Sequence, residues 1–166
     1  MRIILVNPEI PQNTGNIART CAASGTQLVL VRPLGFSISN RQMKRAGLDY
    51  WELLELALVD DLQELLSCND NFFFFSSKAE RRYTDVSYTN DSSLIFGSET
   101  AGLPSWLWEA YPERFVTIPM LPERRCLNLA SSVAIGLYEA LRQNDFNAFE
   151  RQTQEWTGSH LRSTPS

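Results

Sequence analysis

Short apolar runs alternate with segments of helical periodicity along most of the chain. Runs rich in β-branched and aromatic residues, without a polar alternate position, are typical of buried strands in a parallel sheet. We predict strands at 2–6, 27–31, 56–59, 72–76, 94–96 and 115–118. The apolar positions around 52–59 fit a helix as well as a strand, and we favour a short strand at 56–59.

Helical patterns fall between these strands. We predict helices at 15–24, 40–46, 61–67, 104–111 and 128–143. Gly25 is placed to end the first helix, Asp61 with Glu64 resembles a capping box, and Pro104 suits a first helical turn. Strands that alternate with helices predict an α/β fold, a single-domain parallel sheet with helices on both faces.

The length bounds the domain organisation. A chain of 166 residues is long enough for one domain with a substantial core and short for two. Apolar periodicity stops near residue 147, so we predict one domain at 1–147 and a frayed polar tail at 148–166. No apolar run approaches the roughly 20 residues that span a bilayer. The N-terminus lacks the pattern of a signal peptide, and we expect a cytoplasmic protein.

Cysteine and histidine usage argues against several kinds of site. The three cysteines, Cys21, Cys68 and Cys126, are widely spaced and form no CxxC pair. This favours neither a disulfide framework nor a zinc site. The single histidine, His160, falls in the polar tail, so we predict no metal site and no Ser-His or Cys-His nucleophile.

Charge is unevenly distributed although the net charge is only −4. Residues 1–50 carry 6 basic and 2 acidic side chains, residues 51–110 carry 3 and 11, and residues 111–166 carry 6 of each. The basic pairs Lys44-Arg45, Arg81-Arg82 and Arg124-Arg125 are candidates to contact phosphate. A solvated surface is the alternative for any one of these pairs.

Three polar loops each follow a predicted strand. They are Asn7–Arg19, Gly97–Pro104 and Pro119–Asn128. Because the carboxyl ends of parallel strands share one edge of a sheet, these loops are predicted to converge on one composite site. Gly97–Pro104 lacks the Lys-Ser or Lys-Thr of a phosphate-binding P-loop, and no GxGxxG follows a strand. A glycine-bracketed turn that leads into a helix is the alternative for that segment.

Two charged side chains in these loops could do chemistry. Arg19 follows the first polar loop, and its guanidinium is a poor general base because it stays protonated. It could hold a phosphate or stabilise a developing oxyanion, or it could be an ordinary surface cation. Glu99 lies between two glycines, where it could accept hydrogen bonds from a ligand or from a neighbouring loop.

Several motifs, taken together in order, resemble a known family. They are Asn7-Pro8-Glu9-Ile10-Pro11-Gln12-Asn13-Thr14-Gly15-Asn16-Ile17-Ala18-Arg19, Pro33-Leu34-Gly35-Phe36, Arg45-Ala46-Gly47-Leu48-Asp49-Tyr50, Phe96-Gly97-Ser98-Glu99-Thr100-Ala101-Gly102-Leu103-Pro104, and Ile118 to Arg142. Over about residues 1–145 the chain closely resembles the minimal SPOUT-class RNA methyltransferases, in particular the tRNA wobble-position cytidine/uridine 2′-O-methyltransferases.

The resemblance implies a deep C-terminal trefoil knot, an exception to the near absence of knots in proteins. It implies that S-adenosylmethionine lies in the knot, at positions that match Phe75, Gly97, Ile118 and Cys126. The family usually carries serine at the last of these positions, and a thiol is the weaker hydrogen-bonding group. It also implies a homodimer with the 128–143 helix at its interface.

The resemblance further implies the reaction. The ribose 2′-hydroxyl of the wobble nucleotide, a cytidine or uridine, takes the methyl group, with Arg19 as the catalytic residue. Asn16 and Glu99 would shape the site, Arg125 would contact RNA, and Tyr138 matches a position linked to tRNA binding. The alternatives are a 2′-O-methyltransferase of the same fold that acts on ribosomal RNA, and a non-catalytic RNA-binding module.

Overall fold

Six parallel strands form one sheet in the computed structural model, which describes residues 1–37, 54–121 and 126–147. The strands are β1 (Arg2–Val6), β2 (Gln27–Val31), β3 (Leu56–Val59), β4 (Phe72–Phe75), β5 (Ser93–Phe96) and β6 (Phe115–Val116). The helices are α1 (Pro11–Ser24), α2 (Leu62–Ser67), α3 (Trp106–Ala110) and α4 (Leu129–Gln143), with 3₁₀ turns at Tyr83–Asp85 and Pro112–Arg114. The strand order is β3-β2-β1-β5-β4-β6, and every pairing is parallel.

The predicted parallel α/β sheet is therefore confirmed. Each predicted strand that falls among the described residues is present within two residues of its expected ends. The predicted 40–46 helix and the 148–166 tail lie outside the described residues. Within those residues, no helix is long and apolar enough to cross a bilayer.

The predicted start of the first helix is wrong. We placed it at Gly15, but α1 begins at Pro11. Proline suits this position because its missing N–H is one that a first helical turn leaves unpaired in any case. The consequence is functional, since Asn13 lies on a helix and not in a loop.

Two apolar layers enclose the sheet, one on each face. Alternate residues of each strand join opposite layers, as Ile3 and Ile4 of β1 do. The layer that contains Ile3 includes residues of α1 and α4, and the other includes residues of α2 and α3. Except for the edge strand β3, where Leu58 is exposed, the strands are thus buried on both sides, which explains why their sequences show apolar runs and not alternation.

The predicted end of α1 and the predicted start of α2 are confirmed, whereas Pro104 lies two residues before α3 begins at Trp106. Gly25 ends α1 with a φ of 63°, in the left-handed region that glycine adopts readily. The Asp61 carboxylate caps α2 by accepting from the backbone N–H groups of Gln63 at 2.7 Å and Glu64 at 3.2 Å. Val133, Leu137 and Leu141 of α4 are buried.

Gly136 explains how closely α4 approaches the sheet. A Cβ atom at this position would lie 2.8 Å from the Phe75 ring. Gly136 therefore permits close packing of α4 on the carboxyl end of β4. This contact places the start of α4 beside the loops that leave β4 and β5.

Strand order also determines where those loops meet. From β1 the chain proceeds outward to β2 and β3, whereas β5, β4 and β6 lie on the other side of β1. Ligands of open α/β sheets bind beyond the carboxyl ends of the strands, at such a reversal of strand order.

Candidate active site

A cavity of about 630 Å³ lies at the carboxyl ends of β4, β5 and β6. Its walls come from the segments that follow these strands, at Ser76–Lys78, Gly97–Leu103 and Ile118–Met120, and from residues 126–129. Ile10 and Asn13, from the start of α1, complete it. The predicted convergence of three loops on one site is thus observed.

The loop after β5 is a tight turn that requires glycine. Ser98 and Gly102 exchange backbone hydrogen bonds of 3.2 and 3.0 Å, which closes the turn. A Cβ atom at Gly97 would lie 2.1 Å from the Gly102 carbonyl carbon, and Gly102 itself has a φ of 71°. The turn therefore leaves no space for a side chain at Gly97, where it lines the cavity.

The carboxylate of Glu99 joins this turn to the start of α1. It accepts hydrogen bonds from the backbone N–H of Glu9 at 2.9 Å, the backbone N–H of Ile10 at 3.3 Å and Nδ2 of Asn13 at 2.9 Å. Three donors satisfy most of the capacity of one carboxylate. Of the two roles that the sequence suggested for Glu99, the structure shows that of holding a neighbouring loop.

Glu9 braces the same pair of segments in the opposite direction. Thr100 Oγ1 donates to the Glu9 carboxylate, at 2.7 Å to Oε2. On its other side the segment is held by Gly35, whose N–H donates to the Pro8 carbonyl at 2.9 Å. A Cβ atom at Gly35 would lie 2.7 Å from the Glu9 Cα. Residues 8–10 are therefore held between two loops.

Asn13 extends this network to the third segment of the site. Its Oδ1 accepts from Nδ2 of Asn128 at 2.9 Å, while its own Nδ2 donates to Glu99. Asn128 in turn caps α4, because its Oδ1 accepts from the backbone N–H groups of Ala130 at 2.9 Å and Ser131 at 3.3 Å. One chain of hydrogen bonds thus links α1, the turn after β5 and the start of α4.

The structure brings five of the predicted site residues together. Phe75, Gly97, Glu99, Ile118 and Cys126 all line the cavity.

The other predicted site residues lie elsewhere. Asn16 and Arg19 are exposed on α1, Tyr138 is exposed on α4, and none of the three lines this cavity. Arg125 lies outside the described residues.

Two residues for which no role was predicted, Asn13 and Asn128, hold the site together. Asn13 is buried although it is polar, which is unusual unless its hydrogen bonds are satisfied. Both residues belong to the motif segments quoted above, but no local pattern indicates that residues 115 positions apart form a pair.

The cysteines differ sharply in environment. Cys21 is buried in the core under α1, and burial raises the pKa of its thiol to about 12. Cys68 is exposed at the end of α2, and Cys126 is exposed at the cavity. In the part of the chain that the structure describes, no group of three or more His, Cys, Asp or Glu side chains could hold a metal ion.

Comparison with known proteins agrees with this geometry. The sequence profile of the SpoU rRNA Methylase family matches residues 1–138. The chain belongs to this family. The resemblance drawn from the motifs is confirmed.

Individual relatives support the same assignment. A tRNA (cytidine(34)-2′-O)-methyltransferase of Methylovorus glucosotrophus is 43% identical over 147 residues, which cover 87% of this chain and 96% of the relative. A solved structure from work on the 2-OH methylation of C/U34 on tRNA is 40% identical in sequence and has a TM-score of 0.81. The match covers 88% of this chain and 97% of the chain in that structure. The SpoU methyltransferase AviRb of Streptomyces viridochromogenes, solved in complex with the cofactor AdoMet, shares the fold with a TM-score of 0.76. Its sequence is 23% identical, and the match covers 87% of this chain and 58% of the AviRb chain.

The cavity fits S-adenosylmethionine, the cofactor of such enzymes. Its volume of about 630 Å³ falls in the range of about 300–1,000 Å³ that is typical of small-molecule sites. Phe75, Ile118 and Leu129 provide apolar surface for a purine ring, and the Gly97–Gly102 turn provides backbone donors and acceptors. Glu99 adds a carboxylate to the lining of this cavity.

We predict that Glu99→Gln lowers the free energy of unfolding by about 1–3 kcal/mol, the cost of leaving donors unpaired at a partly buried site. The amide presents an NH₂ where the carboxylate accepts from Glu9, Ile10 and Asn13. Urea denaturation measures the loss. Glu109→Gln is the matched control, because Glu109 is exposed on α3. Equal stability of the two variants would contradict a structural role for the Glu99 carboxylate.

Proposed function

We propose that this protein transfers a methyl group from S-adenosylmethionine to the ribose 2′-hydroxyl of the wobble nucleotide, cytidine or uridine, of tRNA. The observation that carries the proposal is that five residues predicted from the family resemblance line one cavity. The proposal is further supported by the tRNA (cytidine(34)-2′-O)-methyltransferase that matches 87% of the chain at 43% identity.

Ribosomal RNA is the second candidate substrate. The matching family is described as an rRNA methylase family, and its profile covers residues 1–138. The reaction at the ribose would be the same, so the two candidates differ only in the RNA that is bound.

Residues of the cavity would hold the cofactor. We propose that Phe75 and Ile118 contact its purine ring and that backbone groups at Gly97 and Cys126 bind its polar parts. When bound, S-adenosylmethionine supplies an electrophilic methyl group on a sulfonium. Because Cys126 carries a thiol, which is a weak hydrogen-bonding group, the backbone there is the stronger partner.

Arg19 would assist the attacking hydroxyl. As its proton leaves, the 2′-oxygen gains negative charge, which a positioned guanidinium stabilises through charge-assisted hydrogen bonds. The oxygen would then bond to the methyl carbon as the bond between that carbon and sulfur breaks, which leaves S-adenosylhomocysteine. The guanidinium does not accept the proton, since it stays protonated; a substrate phosphate or water takes that role. Asn16 lies one turn before Arg19 on the same helix, where it would help to orient the ribose.

A homodimer would bring Arg19 to a cavity. Neither Asn16 nor Arg19 lines the cavity of its own chain, although both lie on α1, which packs beside α4. The side chains of Ile135 and Tyr138 leave apolar surface exposed on α4, with exposed fractions of 37% and 46%. We propose that a second copy covers this surface, so that Arg19 of one copy serves the site at the interface.

We also propose the knot and the domain limits. The chain passes from β5 beyond β4 to β6 and then returns to pack α4 against α1 and β5. A C-terminal trefoil knot also requires that the last segment pass through a loop formed earlier in the chain, and the return of α4 to β5 supports this proposal. The domain would end near residue 147, with a polar tail after it, and the protein would act in the cytoplasm, where tRNA is modified.

Methyl transfer to RNA from a strain that lacks the gene tests the function. The purified protein is incubated with labelled S-adenosylmethionine and either bulk tRNA or bulk ribosomal RNA, and nucleosides are then identified by mass spectrometry. We expect 2′-O-methylcytidine or 2′-O-methyluridine at the wobble position of tRNA. Label in ribosomal RNA alone would favour the second candidate.

In the same assay we predict that Arg19→Ala lowers methyl transfer by about 10²–10³-fold, the usual effect of removing one donor to a developing oxyanion. Binding of S-adenosylhomocysteine, measured by calorimetry, is expected to change little, since Arg19 does not line the cavity. Arg32→Ala is the control, because Arg32 is an exposed arginine paired with Asp60. Full activity of Arg19→Ala would overturn the assigned role.

Cofactor binding is predicted to protect one cysteine. Iodoacetamide at pH 8 is expected to modify Cys126 and Cys68, which are exposed, and to spare Cys21, whose pKa is raised to about 12. Saturating S-adenosylhomocysteine should slow alkylation of Cys126 by tenfold or more and leave Cys68 unchanged, as peptide mass spectrometry can show. Equal rates at Cys126 with and without the ligand would place the cofactor elsewhere.

We predict that Ile135→Glu converts the proposed dimer to a monomer, because a carboxylate in an apolar interface loses its hydration without a partner. Light scattering coupled to gel filtration measures the mass. Leu58→Glu is the matched control, since Leu58 is also exposed, at 42%, but lies on β3 at the far edge of the sheet. A monomeric wild-type protein would refute the homodimer.

A further inference from the structure

Three basic residues stand beside the cavity in an otherwise acidic part of the chain. Residues 51–110 contain 11 acidic side chains but only 3 basic ones. The three basic side chains all fall within residues 78–82. They are Lys78, Arg81 and Arg82, and each is exposed. We call these three residues the basic strip. Glu80, also exposed, lies among them, so residues 78–82 carry a net charge of +2 in a part of the chain that is otherwise acidic.

The backbone holds the basic strip against the cavity wall. The N–H of Thr117 donates to the Arg81 carbonyl at 2.8 Å, and the N–H of Tyr83 donates to the Thr117 carbonyl at 2.9 Å. Arg82 therefore pairs with Thr117 as a short parallel bridge beside Ile118, which lines the cavity. Lys78 lines the cavity itself.

The charges of the basic strip remain available to a ligand. Across residues 1–37, 54–121 and 126–147, no carboxylate forms an ion pair with these three cations. Arg81 uses one guanidinium nitrogen to donate to the Asp85 carbonyl at 2.9 Å, which keeps that side chain near the 3₁₀ turn. Lys78 and Arg82 have the greater freedom to turn toward a partner.

We propose that the basic strip binds backbone phosphates of the substrate RNA next to the nucleotide whose ribose is methylated, with Lys78 and Arg82 as the principal contacts. This inference rests on the proposed function, because it takes the adjoining cavity to be the methyl-transfer site. A ribose at that cavity has phosphates on both its 5′ and 3′ sides. Lysine provides a point charge for phosphate, and arginine provides a planar pair of donors.

Position explains why the strip would matter in an acidic protein. A net charge of −4 repels RNA at long range, so cations must lie where the strand is held. The strip stands at the β6 edge of the sheet, whereas Arg19 lies on α1, the helix that follows β1. Contacts on the two sides of the site would orient the strand across the cavity.

The test compares wild-type protein with the double variant K78Q/R82Q. We expect the KM for bulk tRNA to rise about tenfold or more, with kcat at saturating S-adenosylmethionine within about twofold of wild type. Binding of bulk tRNA is also measured by fluorescence anisotropy over a range of salt concentrations, without turnover. Loss of two phosphate contacts should reduce the slope of log affinity against log salt by about 1.4–1.8.

R32Q is the matched control, because it removes one exposed arginine at the β2 side of the sheet, where Arg32 pairs with Asp60. It should leave the KM and the salt slope unchanged. If wild type methylates tRNA and K78Q/R82Q keeps the wild-type KM for tRNA and the wild-type salt slope, the basic strip is not a phosphate site. The proposed function then stands.

The failure of the proposed function would look different. If wild type methylates no tRNA but binds bulk tRNA or ribosomal RNA with a salt slope that K78Q/R82Q lowers, the strip stands and the assigned substrate fails. If wild type binds neither RNA, both proposals are overturned.

Discussion

The carboxylate of Glu99 is the contact on which the site depends. It lies on the turn after β5, yet each of its three donors belongs to the segment Glu9–Asn13 at the start of α1. A carboxylate with several N–H donors is well stabilised in a partly buried place, whereas the same donors left unpaired would be costly. This contact fixes the position of α1 relative to the strand ends, and with it one wall of the cavity.

Asn13 passes that constraint to the last helix. Through Asn128 it reaches the cap of α4, so one chain of hydrogen bonds joins three segments that are distant in the sequence. Close contacts at glycines tighten the arrangement, since Gly97 and Gly136 each leave no space for a Cβ atom. A rigid frame of this kind holds a cavity open for a ligand without the need for the ligand to order it.

Within one chain, this frame separates two tasks. Residues that would bind the cofactor line the cavity, while Arg19, which would act on the ribose, lies outside it on the exposed side of α1. In the proposed function, the substrate and a second copy of the chain would complete the site. The basic strip adds a third element, because it places positive charge at the cavity edge of an acidic protein. These arrangements together suit an enzyme that holds a small cofactor deeply and a large polyanion at its surface.

The sequence by itself determined the class of fold and many local features. Apolar runs indicate the strands because burial on both faces requires them, and Gly25 and Asp61 indicate helix ends because their chemistry is local. It also indicated which loops form the site, and the motifs indicated the family. Tertiary structure alone decided that α1 begins at Pro11, since bonds from Glu9, Ile10 and Asn13 to Glu99 stabilise a start rich in residues of low helix propensity. It likewise decided the pairing of Asn13 with Asn128 and the place of the basic strip beside the cavity. Periodicity reports only neighbours along the chain, and these contacts join residues that folding alone brings together.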